Sequence, residues 1–130
     1  MPRPNVTLAI LTAALAVTAL TFTAARAAKA EKPPDTSVKG EVLDLACYIS
    51  EGAKGPGHAD CAKECAKGGQ PMGLLGADGT VYLLLADHGD PAAFEKTKDL
   101  AGRKVEITGV PESRGALKGL TVHGVKALQE

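Results

Sequence analysis

Thr80–Val110 reads TVYLLLADHGDPAAFEKTKDLAGRKVEITGV and places one helix between two strands. Thr80 to Leu85 is a short run of β-branched, aromatic and apolar residues, the pattern of a buried strand. Asp90 can cap a helix and Pro91 can start it, since proline has no N–H to lose at the first helical position. Ala93, Phe94, Thr97, Leu100 and Ala101 then share one face, and Gly102 ends the helix. From Arg103 the period changes to two: Val105 and Ile107 point one way, and Lys104, Glu106 and Thr108 the other.

Working outward, VKGEVLDLAC (Val38–Cys47) reads as a first strand that bends at Gly40 and ends at Cys47. YISEGAKGPG follows as a glycine-rich loop and leads into HADCAKECAKGG, a short helix stopped by Gly68-Gly69. Pro71–Leu75 is a second strand, joined to the third by the turn Gly76-Ala77-Asp78-Gly79. Downstream, PESRGALKG turns the chain back and LTVHGVKAL is the last strand. A helix between the third and fourth of five strands is the order of the OB-fold. The predicted fold is an α+β, five-stranded OB-like β-barrel with a Cys/His-bearing helix between strands one and two. Val38 to Leu128 resembles small exported bacterial OB-fold domains, largely uncharacterised, that carry GEVxDxxCY ahead of an HxxCxxxC segment. The resemblance implies the fold and a cysteine-rich insertion, and carries no established activity.

The N-terminus sets the compartment. Arg3 precedes an uncharged Ala- and Leu-rich run from Val6 to Phe22, and Ala25-Arg26-Ala27 and Ala28-Lys29-Ala30 both fit a cleavage signal. Residues 1–27 are expected to be a signal peptide, 28–37 a flexible linker and 38–130 the OB-like domain. The mature protein is then periplasmic or secreted and free of the membrane. Cleavage removes Arg3 and Arg26 from the 15 basic residues and none of the 15 acidic ones, so the domain is mildly acidic. Its aromatics are Tyr48, Tyr82 and Phe94, too few for a row of base-stacking platforms. Lys63, Lys67, Lys96 and Lys98 alternate with Asp60, Glu64, Glu95 and Asp99, as on solvated helix faces. Nucleic acid is therefore not the expected partner.

All three cysteines lie in or near the insertion. On a helix His58, Cys61 and Cys65 fall within a sector of about 60°, and the loop after Cys47 is long enough to return its sulfur to that face. Cys47, His58, Cys61 and Cys65 make a Cys3His set suited to tetrahedral zinc, whereas thiolates with a nearby thioether such as Met72 suit Cu(I). Softness favours Cu(I) by a small margin. His88, in the turn Asp87-His88-Gly89-Asp90, is a further candidate ligand, although a loop role is its default, and His123 reads as exposed. Asp44 either orients His58 from behind or bonds local backbone.

The expected function is soft-metal binding, in copper or zinc handling or sensing, without catalytic turnover. Two alternatives stay open. A disulfide from Cys47 to Cys61 or Cys65 would stabilise the loop by roughly 2–4 kcal/mol and leave one idle thiol in a module that binds a periplasmic protein or small ligand. Thiol–disulfide exchange would need a lowered cysteine pKa, for which Lys63, Lys67 and His58 supply positive charge. The partner protein, oligomeric state and metal are left open.

Overall fold

The computed structural model describes residues 32–129; the expected signal peptide lies outside them. Five strands, β1 Thr36–Asp44, β2 Met72–Gly76, β3 Val81–Ala86, β4 Lys104–Arg114 and β5 Leu117–Ala127, close into a barrel in the order β1-β2-β3-β5-β4. Neighbours are antiparallel except β3 and β5. That parallel pair requires the chain to cross over, and helix α3, Ala92–Asp99, lies in the crossover. This is the OB arrangement expected from the sequence.

Few aromatics are available, so the core is aliphatic. Val42, Leu74, Leu84, Val105, Ile107, Leu120 and Val122 fill the barrel, with Met72, Ala62, Ala66 and Ala101 packed against them and Phe94 and Tyr82 at its margin. Val105 and Ile107 face inward, as their alternation predicts. Asp90 Oδ1 accepts the Ala92 N–H at 3.0 Å, which sets the start of α3.

Three boundaries differ by three residues or more from the sequence reading, and β1 also starts two residues early, at Thr36, inside the expected linker. The first strand stops at Asp44 and not at Cys47, because the Asp44 carboxylate accepts the Ala46 N–H at 2.9 Å and caps a helix, α1, over Leu45–Glu51. An aspartate bonding its own backbone two residues on diverts the chain from the strand ladder. The expected loop from Tyr48 is thus helical as far as Glu51, and Gly52 closes the helix by donating to the Cys47 and Tyr48 carbonyls. The turn expected over PESRGALKG is also tighter: β4 runs to Arg114, β5 starts at Leu117, and the two pair down to that last rung. Residues 111–118 are all exposed, so the hairpin is extended by its backbone ladder and the burial pattern that marks the other strands is missing from it.

His123 is not exposed as expected. Its Nδ1 lies 2.9 Å from Asp35 Oδ1 and its Nε2 2.9 Å from Asp87 Oδ2, with Lys32 3.7 Å from the same Asp87 oxygen. These contacts hold 32–35 against β3 and β5, and Thr36 and Ser37 already pair with Gly109 and Thr108. Among the described residues no helix is long and apolar enough to cross a membrane.

Candidate metal centre

The insertion between β1 and β2 contains α1, a 3-10 turn at Pro56–His58, and helix α2, Ala59–Lys67. A seven-residue helix has little stability of its own, so α1 depends on its ends. Asp44 caps the start, the Leu45 N–H donates to the Pro71 carbonyl at 2.9 Å, and Leu45 is buried. The Cys47 carbonyl accepts from Gly52 and, at 3.4 Å, from Ala53. Cys47 therefore sits in the first turn of a capped helix, with its backbone fixed from both sides.

Helix α2 lies on the barrel through Ala59, Ala62 and Ala66, all buried. Small side chains let its backbone approach closely, which leaves Cys61 and Cys65, four apart, on a neighbouring face. His58 precedes this helix, at the end of the 3-10 turn. The loop between the helices is pinned by Glu41, a buried carboxylate that accepts the Gly55 N–H and lies 3.7 Å from Lys104.

These elements bring the sequence-predicted cysteines together. The Sγ atoms of Cys47, Cys61 and Cys65 all lie within 4.8 Å of one another, and so do ligand atoms of Asp44, Cys47 and His58. Four-coordinate zinc with Zn–S bonds of about 2.3 Å places sulfurs about 3.8 Å apart, so each trio needs only a modest contraction to close on an ion. The thiols are free, Cys61 exposed and the other two half-buried. Asp44 is 1% exposed; it bonds local backbone, as one of its two sequence readings has it, and it also belongs to the cluster. A buried aspartate at a strand end beside a Cys-x-x-x-Cys helix is the signal that would have found it.

Met72 and His88 are placed differently. Met72 is the ladder partner of Asp44 and its side chain is packed in the core with Val42, Ala62 and Leu74. His88 is exposed just past the C-terminal end of β3, in a cleft of about 580 Å³ with Lys32, Asp87 and Glu112, and belongs to neither trio.

The charges in the centre are coupled. Burial pushes the Asp44 carboxyl up, but the Cys47 thiol, the Ala46 N–H and the Cys65 thiol outweigh it, and the net shift is downward. The Asp44 carboxylate in turn pushes the Cys47 thiol up to about 12, and burial adds to this. Cys65 is raised first by the same carboxylate. Even so, Asp44 Oδ2 and His58 Nε2 are buried without an aligned hydrogen-bond partner. No protein-family model, curated protein or solved structure matches the chain. The centre is therefore read from its own chemistry.

One consequence is measurable in the reduced, metal-free protein. Cys61, being exposed, should be alkylated first and Cys47 last. Asn caps helices about as well as Asp, so Asp44→Asn keeps α1 while removing the charge. It should speed Cys47 alkylation at pH 8 by roughly 10- to 50-fold, the gain in thiolate fraction less the lower nucleophilicity of a more acidic thiol. Site-resolved mass spectrometry checks this; an unchanged Cys47 rate would show that Asp44 is not what holds the thiol protonated.

Proposed function

We propose that this is an exported, non-enzymatic metal-binding protein that holds a soft or borderline cation on Cys47, Cys61 and Cys65 with His58 at hand, and that the ion is Zn(II) in preference to Cu(I). The observation that carries the reading is the convergence of three free thiols from two separate helices within 4.8 Å. A cation resolves what these side chains alone do not: it draws the thiols to thiolates and neutralises the carboxylate that otherwise opposes their ionisation. Three thiolates alone suit Cu(I), the choice that softness and the nearby Met72 favour in sequence. The buried Asp44 carboxylate and the His58 nitrogen, harder donors, move the preference to zinc. Metal handling or sensing in the periplasm or outside the cell is the corresponding role.

Thiol exchange is not favoured at Cys47 or Cys65, since an attacking cysteine needs a lowered pKa and Asp44 shifts both the other way. The test is metal analysis of protein recovered from an oxidising compartment, with thiols counted before and after chelator. Bound zinc and three thiols that react only after chelation are expected. No metal and a single reactive thiol would replace this reading with a disulfide-stabilised binding module.

A further inference from the structure

Two groups are left over once one ion sits among the three thiolates. Asp44 Oδ2 and His58 Nε2 are buried without an aligned hydrogen-bond partner, and the thiols of Cys47 and Cys65 that face the carboxylate lose their protons when they bind a metal. Buried polar atoms in folded proteins are nearly always paired, so two orphans side by side ask for a ligand. A carboxylate oxygen of Asp44 and a ring nitrogen of His58 lie with the Cys47 sulfur in a trio of their own, all within 4.8 Å, and Cys47 belongs to both trios.

We propose that the centre binds two divalent cations of the zinc class bridged by the Cys47 thiolate, one on Cys47, Cys61 and Cys65 and the other on Asp44, Cys47 and His58. This rests on the metal-binding reading and extends it. The donor count supports it. A single tetrahedral ion on three thiolates has one position left, and filling it with either Asp44 or His58 leaves the other group orphaned. A thiolate sulfur has several lone pairs and bonds two cations without strain, which a single imidazole nitrogen cannot do.

Charge leads to the same number. Three thiolates and the Asp44 carboxylate carry four negative charges, and neutral His58 adds none. One divalent ion leaves an excess of two negative charges around a carboxylate that is 1% exposed, while two divalent ions bring the cluster to zero. Excess negative charge beside a buried carboxylate is unfavourable, and no lysine or arginine is ion-paired to Asp44 among the described residues. Loading is a displacement: each thiol that becomes a ligand gives its proton to solvent as its sulfur takes the metal.

The experiment titrates the reduced, metal-free full chain with Zn(II), counted after gel filtration, and with Co(II), followed by thiolate-to-cobalt charge-transfer absorption. About two ions per chain are expected, and X-ray absorption of the zinc form should show a short metal–metal distance. His58→Gln should bind about one ion and keep the charge-transfer band, since the three-sulfur trio is intact. The His58 ring makes no hydrogen bond through Nε2, so folding should survive; Asp44→Asn, which keeps the cap, provides an independent variant with the same expected drop. A single ion in the unaltered protein, or two without metal–metal scattering, would overturn the bridged pair and leave the metal-binding reading standing. No bound ion at all would overturn both.

Discussion

Cys47→Ser should weaken zinc binding by more than about 1,000-fold, the largest loss expected of any single cysteine. Loss of a partner behind a ligand typically costs about 10- to 100-fold, and removing a shared ligand must cost more. Serine is close to cysteine in size, but its hydroxyl stays protonated where a thiol ionises, so the sulfur's charge and softness vanish while the shape remains. The fold should be little affected. The helix around residue 47 is held by Asp44, by Gly52 and by Leu45 packing, none of which involves the sulfur. Cys61→Ser is the informative comparison, because Cys61 is exposed and belongs to one trio only. Competition against a chromophoric zinc chelator, with circular dichroism as the control for folding, ranks the two. If Cys47→Ser stays within tenfold of the unaltered protein, or if Cys61→Ser is the worse variant, Cys47 is not the centre of the cluster.

The barrel was legible in the sequence because its signals are periodic and local. Val105 and Ile107 alternate, Asp90 and Pro91 announce α3, and the order of elements then leaves little choice of topology. The convergence of Cys47 with Cys61 and Cys65 was also readable, from helical spacing and loop length. The route by which Cys47 arrives was not. Leu45-Ala46-Cys47 continues an apolar run, and only the bond between Asp44 and the Ala46 N–H turns that run into a helix. That Asp44 bonds local backbone can be read in sequence, but not that this bond ends the strand or that its carboxylate joins the cluster. His123 was misjudged for a different reason: its partners Asp35 and Asp87 are distant in sequence, and no local pattern reports a contact of that kind.

Gly102 shows how far from the cysteines the centre's geometry is set. In sequence it is a helix stop, and its φ of +77° agrees. It also donates its N–H to the Val42 carbonyl at 2.8 Å. A Cβ placed there would lie 2.6 Å from the Ala59 Cα and 2.7 Å from the Ala59 Cβ. Ala59 is the first residue of α2, immediately after His58 and two before Cys61, so the space left by the missing side chain of Gly102 is the seat on which the metal-bearing helix starts. Gly102→Ala should cost about 1–2 kcal/mol for the left-handed conformation and about 1–3 kcal/mol for overpacking against backbone that cannot rotate away. A domain of this kind is stable by only about 5–15 kcal/mol, so the variant should unfold at clearly lower urea and bind zinc more weakly, because Ala59 can yield only by carrying His58 and Cys61 with it. Gly115→Ala separates the two contributions. Gly115 has φ +59°, and a methyl group there would meet nothing within 4 Å, so that variant should lose only the conformational part and keep its zinc affinity. Equal losses in the two variants, with metal binding untouched in both, would show that α2 does not take its position from Gly102.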